Sequence, residues 1–318
     1  MVKNRKSTDA ERSLEIRAAW LHYVGNMRQA EVAKRLGVPS VKAHRLIARA
    51  VADGAVKVSI EGDIVECIEL EQRLCAQFGL EICEVSPDLE EVGLPLRTLG
   101  LAGASWLKRR LDMGDITTIG ISHGRTLASM VQSMPRMTLP DHRFVSLMGG
   151  LTRNYAANPH DVMHMLAERT GAQAYVMPVP FFANSEEDRD ILLSQRGVPA
   201  VLDLAKSSPL KVVGIGSAQA DAQLVSSGLI AQDEIDEISK SGGVGEMLGH
   251  FFDPDGTTIT TPLTARTVTV PLDDTKDDKI VALAGGPEKV RPLKAILRSG
   301  WLSGLITDER TASALLEG

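Results

Sequence analysis

The chain has 318 residues, 43% of them apolar, which is enough for a sizeable buried core and excludes wholesale disorder. No uncharged apolar run reaches the roughly 18 residues that a membrane span needs, and the charged opening MVKNRKSTDAERS lacks the apolar stretch of a secretory signal. Net charge is −6 but unevenly placed: residues 1–60 hold 12 Lys/Arg against 5 Asp/Glu, and residues 61–318 hold 23 against 36. A basic end on an acidic body suits a nucleic-acid reader joined to a different module. The cysteines, Cys67, Cys75 and Cys83, are odd in number and lack C-x-x-C spacing, which suits buried free thiols in a reducing cytoplasm.

In chain order, Ala10 to Val24 predicts a first helix, with Asp9 as its N-cap and Gly25 as its stop. From Met27 to Ala52 two short helical patterns meet at Gly37. Ala30, Val32, Ala33 and Leu36 form one apolar face; Val41, Leu46, Ile47 and Ala50 form the next. This is the pattern of a helix-turn-helix, whose second helix lies in the DNA major groove. Gln29 stands at the entry of the first helix, where a side-chain amide meets a phosphate. Ser40, Lys42, Ala43, His44 and Arg45 occupy the first turns of the second, where side chains reach base edges. Pro39 suits a first helical turn, which has no use for its missing N–H. A solvated helix face would explain each charge singly; turn, spacing and charge together favour double-stranded DNA.

Val56–Ile60 and Ile64–Ile68 alternate around Glu61-Gly62-Asp63 and predict a hairpin, the wing of a winged helix-turn-helix. Glu69 to Phe78 then predicts a helix. The boundary is placed near residue 62, with a DNA-binding domain at 1–62 and an effector-binding and oligomerisation domain at 63–318.

Beyond it strands and helices alternate. The predicted strands are Glu81–Val85, Ile116–Ile121, Phe144–Met148, Ala174–Met177, Lys211–Ile215, Arg266–Val270, Ile280–Ala284 and Gly304–Ile306. Helical patterns fall at 94–112, 125–133, 160–169, 186–194, 218–227 and 288–298. The alternation predicts an α/β domain, a mostly parallel sheet covered by helices. Thr257–Thr261 and Arg266–Val270 could pair as an antiparallel flap.

Ligands bind such sheets at the carboxyl ends of the strands, and several of these ends carry glycine. They are Gly120-Ile121-Ser122-His123-Gly124-Arg125-Thr126, Gly149-Gly150, Gly214-Ile215-Gly216-Ser217-Ala218-Gln219, and Gly285-Gly286 leading to Lys289. Glycine lets the backbone approach an anion, and amides at the following helix start hold it. Ser122, Thr126 and Lys289 offer further donors. A strand-to-helix turn often needs glycine for steric reasons alone, but four such turns on one edge point to a small-ligand site.

At these residues the chain resembles the SorC-type sugar-sensing transcriptional regulators. The marks are the helix-turn-helix, GISHGRTL (120–127), LMGG (147–150), GIGS (214–217), GGVGEMLGHFFDPDG (242–256) and the tail from Ala284. The resemblance implies an effector domain similar to sugar-phosphate isomerases, a homo-oligomer of tetrameric kind, and operator binding controlled by a sugar phosphate, sugar or polyol. It implies an effector pocket of Ser122, Gly124, Arg125, Thr126, Gly149, Gly150, Gly216 and Gln219, with Glu246 accepting from sugar hydroxyls and Lys289 meeting an anionic group. The chain departs from the family at Pro39, where a polar cap is usual, at His123, where tryptophan is common, and at Met148, so no lysine there forms an imine with a sugar aldehyde.

The rival reading is a sugar-phosphate isomerase-like enzyme with an added N-terminal domain. Such chemistry needs an acid or base in the pocket. Where the deaminase relatives carry Asp-Gly-His, this chain has Gly216-Ser217-Ala218-Gln219, so binding without turnover is favoured and no catalytic residue is assigned. His160 and His164 have i, i+4 spacing but lack the glutamate and third ligand of a zinc site. Asp273-Asp274 and Asp277-Asp278 lack the glycine and terminal glutamate of a calcium loop. No metal or cofactor is expected.

Overall fold

The structure is a computed structural model and describes residues 3–56, 64–150, 161–219, 223–226, 228–275 and 278–317. It divides into two compact units, Met1–Gly62 and Asp63–Gly318.

In the first unit α1 (Lys3–Ala19) runs into a π-helical turn, Trp20–Val24, followed by α2 (Gln29–Leu36) and α3 (Ser40–Ala52). Asp9 lies inside α1 and is not its cap. The Arg28 amide that opens α2 donates to the Glu31 carboxylate at 2.7 Å, so a side chain of the first turn satisfies an amide that the helix leaves free. Gly37 ends α2 with φ +65°, a left-handed conformation that favours glycine. Pro39 is the N-cap of α3, one position earlier than expected: its ring fixes φ at −60°, and ψ of 149° leads the chain in extended. Ala18, Leu21, Val32, Ala33, Ala43, Leu46 and Ile47 form the core. Ala30 and Val41, expected on the apolar faces, are exposed. The wing's second strand is absent, since Val65–Phe78 forms α4; its first strand falls at Val56–Ile60, of which 57–60 lie outside the described residues.

In the second unit the strands are β1 (Ile82–Ser86), β2 (Thr118–Ile121), β3 (Arg143–Gly150), β4 (Gln173–Pro180), β5 (Leu210–Val213), β6 (Gly216–Ser217), β7 (Gly245–Met247), β8 (His250–Phe252), β9 (Thr258–Ile259), β10 (Lys279–Leu283) and β11 (Gly304–Asp308). The order β1-β11-β10-β5-β2-β3-β4 makes one sheet, parallel throughout. Parallel neighbours need crossovers: α6 (Arg125–Ser133) supplies the one from β2 to β3, and α5 (Leu96–Met113) lies on the longer passage from β1 to β2. Because successive strand residues point to opposite faces, the runs divide between two cores. Val145, Leu147, Val213, Ile280, Ala282 and Leu305 join one; Phe144, Val212, Val281, Leu283 and Ile306 join the other. Lys211 is fully buried within β5, where its Nζ donates to the carbonyls of Lys206 and Ser208 and pairs with Asp278 at 2.6 Å.

β6-β7-β8-β9 form a small antiparallel sheet just past the end of β5. The expected flap is absent: β9 pairs with β8, and a short helix, Pro262–Ala265, separates it from Arg266. Arg266–Val270 makes two isolated antiparallel bridges, Thr267 to Phe182 and Thr269 to Met148, with backbone hydrogen bonds to Leu147 and Gly149 at the end of β3 and to Phe181 and Ala183 past the end of β4. The helical pattern at 218–227 is described as a helix only over Gln223–Ser226. Helices at Val198–Lys206 and Gln232–Lys240 and the β7–β8 hairpin lie in stretches where no element was expected.

Candidate functional site

Two places concentrate the predicted residues. On α3, Ser40, Lys42, His44 and Arg45 are exposed, as is Gln29 at the start of α2. Pro39, Val41, Lys42, Arg45 and Arg49 line a shallow recess with Glu11 and Leu46. Arg49 reaches Glu11 at 3.1 Å and Glu15 at 3.4 Å, which links α3 to α1. Ala43 is a correction: it is fully buried against the core and cannot touch a base. Its place among polar neighbours suggested contact, but the helical period turns it inward with Leu46 and Ile47.

The second place is the carboxyl edge of the large sheet. β2 and β5 are neighbours, and from them the chain winds outward in opposite directions, to β3-β4 on one side and β10-β11 on the other. Such a switch point opens a crevice between the loops that follow the two strands. Here a hydrogen bond joins those loops: the Gly214 amide donates to the buried Ser122 Oγ at 3.1 Å. Two residues on, Gly216 pairs with Glu246 across β6 and β7. A Cβ on Gly216 would stand 2.2 Å from Glu246 Oε2, so the carboxylate lies on the bare backbone. Its other oxygen accepts from the Gly249 amide at 2.6 Å, and the tight β7–β8 turn that offers this amide has φ +54° at Leu248 and +77° at Gly249.

Burial pushes the Glu246 carboxyl above its usual range, opposed by the Gly249 bond and by the charge of Lys289. The residue nonetheless keeps some accessible surface. Lys289 ends the short turn Pro287–Lys289 and is half-buried. The loop before it is pinned: Gly286 donates to Thr311 Oγ1 at 2.7 Å, and that hydroxyl donates to Asp308 Oδ2 at 2.6 Å. Asp308 Oδ1 accepts the Thr311 amide and caps the last helix, Glu309–Leu316. Gly285 has no room for a Cβ, which would stand 2.1 Å from Asp308 Oδ2.

On the other flank His123 Nε2 lies 3.2 Å from Ser146 Oγ, whose own proton goes to the Met148 carbonyl at 2.7 Å. Nε2 must therefore donate, which leaves Nδ1 as a buried lone pair with no hydrogen-bond partner among the described residues. Burial lowers the His123 pKa, with Asp161 opposing.

The predicted residues thus divide. Ser122, Gly216, Glu246 and Lys289 come together around the crevice. Gly124, with φ +135°, opens α6, where Arg125 is exposed and Thr126 half-buried. Gln219 is exposed on a bend. Gly149 and Gly150 end β3, and residues 151–160 after them lie outside the described residues. The Gly149 amide is used on the Val268 carbonyl at 3.0 Å, the Gly150 carbonyl accepts from Phe181, and a Cβ on Gly149 would stand 2.5 Å from the Pro180 carbonyl oxygen. Sequence reasoning missed Ser146, Asp308 and Thr311. Asp308-x-x-Thr311 after a strand is an N-cap spacing and was open to notice; Ser146 inside a buried strand gave no signal.

Among the described residues no group of three His, Cys, Asp or Glu is placed to hold a metal, and no helix is long and apolar enough to cross a membrane. His160 lies outside them, His164 is exposed, and Asp278 is taken by Lys211. The cysteines are free; Cys67 is buried and the other two are half-buried.

The family described as "Putative sugar-binding domain" matches residues 62–317. The erythritol catabolism regulatory protein EryD of Brucella abortus (strain 2308) is 61% identical over 97% of this chain and 98% of its own. The transcriptional regulator LsrR of Enterobacter sp. (strain 638) is 31% identical over 96% of this chain and 93% of its own. The full-length sorbitol operon regulator SorC from Klebsiella pneumoniae superposes with a TM-score of 0.73 at 26% identity, covering 96% of this chain and 98% of that one. These relatives are transcriptional regulators that align with nearly the whole of this chain, and the protein accordingly belongs to the SorC-type family of sugar-binding transcriptional regulators.

Proposed function

We propose that the protein controls genes for the catabolism of a small polyol of the erythritol class, and that the polyol or its phosphate is its effector. The similarity to EryD supports the class. The observation that carries the site is the Glu246 carboxylate lying on bare Gly216, with Lys289 in electrostatic reach. A carboxylate held at one oxygen by a backbone amide offers its other lone pairs to hydroxyl donors. Lys289 and the amides that open α6 at Gly124 and Arg125 suit an anionic end.

In this reading residues 1–62 bind operator DNA, and residues 63–318 bind effector and assemble the oligomer, a tetramer as in the family pattern. Gln29, Ser40, Lys42, His44 and Arg45 contact DNA. The protein works in the cytoplasm, where its operator is. Effector alters operator affinity by binding one arrangement of the subunits better than another, since only differential affinity moves such an equilibrium.

The test is fluorescence-anisotropy binding to DNA from upstream of this protein's own gene and its neighbours, at ~0.15 M salt, against scrambled DNA. It is run with and without erythritol, other tetritols and pentitols, and their phosphates. Selective binding altered by one compound is expected. Sequence-blind binding that no compound alters overturns the reading.

A further inference from the structure

The recognition helix carries an apolar side chain where its polar face is expected. At about 3.6 residues per turn, Val41, Arg45, Ala48 and Ala52 stand opposite the buried stripe of Ala43, Leu46, Ile47 and Ala50. Val41 is 73% exposed, one of the most exposed large apolar residues in the protein. It sits in the first turn of α3, the part that reaches deepest into a major groove in this motif. Lys42 and Arg49 flank the stripe on one side and His44 on the other, so the cations border an apolar centre. Within the stripe Arg45 is the one long hydrogen-bonding side chain.

The exposed Val41 side chain belongs to no core cluster, and valine is a poorer helix former than alanine. The chemistry of the groove supplies a use. Of the four bases only thymine offers an apolar group there, its C5-methyl, and apolar side chains take it by contact. We infer that Val41 reads a thymine methyl in each half-site, next to the base that Arg45 contacts. This inference rests on the DNA-reading assignment of α3 proposed above. It makes Val41 a specificity residue and Lys42 an affinity residue, because a phosphate contact carries no base information.

The experiment uses the full chain. Duplexes are first selected from a random-sequence library, and the tightest is resynthesised with single thymines replaced by deoxyuridine, which removes the methyl and leaves base pairing intact. Wild type is expected to bind about fourfold more weakly at one thymine per half-site, the factor that loss of one buried methyl group implies. Val41→Ala and Val41→Ser should bind the parent duplex more weakly and show no deoxyuridine effect at that position. Lys42→Ala should weaken binding to every duplex and keep the effect. Circular dichroism confirms that the variants fold; the exposed site makes this the expected result. A deoxyuridine effect unchanged in both Val41 variants, or no effect at any thymine, overturns the inference while the DNA-reading assignment stands. A selection that enriches no sequence overturns both. A Val41 variant with unchanged DNA binding but an altered oligomer mass by light scattering overturns it in favour of a contact between copies.

Discussion

Glu246 Oε2 lies where a methyl group on Gly216 would have to be, 2.2 Å from its built position. The pair is also in register across β6 and β7, so the two backbones are held opposite each other. A carboxylate pressed onto glycine backbone beside a lysine is the centre of the proposed effector site, and it gives the most direct prediction. Gly216→Ala should displace the carboxylate and weaken effector binding at least tenfold in calorimetry, with operator affinity in the absence of effector retained. Unchanged effector affinity would remove Glu246 from the site.

The same carboxylate has a pH signature. Its pKa is raised on folding, chiefly by burial, so the folded state binds its proton more tightly than the unfolded chain does. Its contribution to stability is therefore greatest at acidic pH and declines as pH rises from the ordinary carboxylate range through the raised folded value. Glu246→Gln removes that decline, and the difference in Tm between variant and wild type should move in the variant's favour over this window. Effector affinity of the wild type should run the other way, weakening on acidification as the carboxylate loses an acceptor. Parallel pH profiles of the two proteins would contradict both statements.

For Lys289→Ala the expected outcome is a weaker effector response with effector-free DNA affinity kept. If the natural effector is phosphorylated the loss should be larger for the phosphate than for the free polyol, because a charge-assisted bond to phosphate is lost. Titration of the variant with both forms measures the difference.

Arg45→Ala should cost about 1–3 kcal/mol of operator binding, concentrated at one base pair, if the guanidinium reads a guanine. Binding to a panel of single-base operator variants is the measurement. A uniform loss with a shallower salt dependence would make Arg45 a phosphate contact.

Ala43 separates packing from reading. It is fully buried between α3 and the rest of its unit, so Ala43→Leu should overpack that core by about 1–3 kcal/mol. The loss should appear as a lower melting temperature of the DNA-binding unit and as weaker binding to all DNA alike. A sequence-specific defect with unchanged melting would return Ala43 to the interface.

Much of this molecule could be read in advance, because its strongest patterns are local. The turn at Gly37, the helices at 125–133 and 186–194, and the strands that end in glycine follow from periodicity and from residues with few conformational choices. The family resemblance supplied Glu246, which no local pattern marks. The misread elements have a common cause. Ile64–Ile68 alternates like a strand, but Val65–Phe78 buries Cys67 and Leu74 on the sheet and continues as one helix. Arg266–Val270 has strand composition, yet it meets its neighbours only at isolated bridges near the ends of β3 and β4. Val41 has an apolar side chain at nearly the right spacing, yet it lies opposite the buried face.

The amino-acid order alone thus determined which segments are helices and strands with clear periods, the charge division between the two units, and the glycine-bearing strand ends. Only the tertiary structure decided what those glycines are for. Gly216 makes room for a carboxylate from another strand, Gly285 for the cap of another helix, and Gly149 for the backbone of its neighbouring strand. The physical reason is that a glycine's role depends on which atoms approach it, and those atoms come from distant parts of the chain that only the packed sheet brings near.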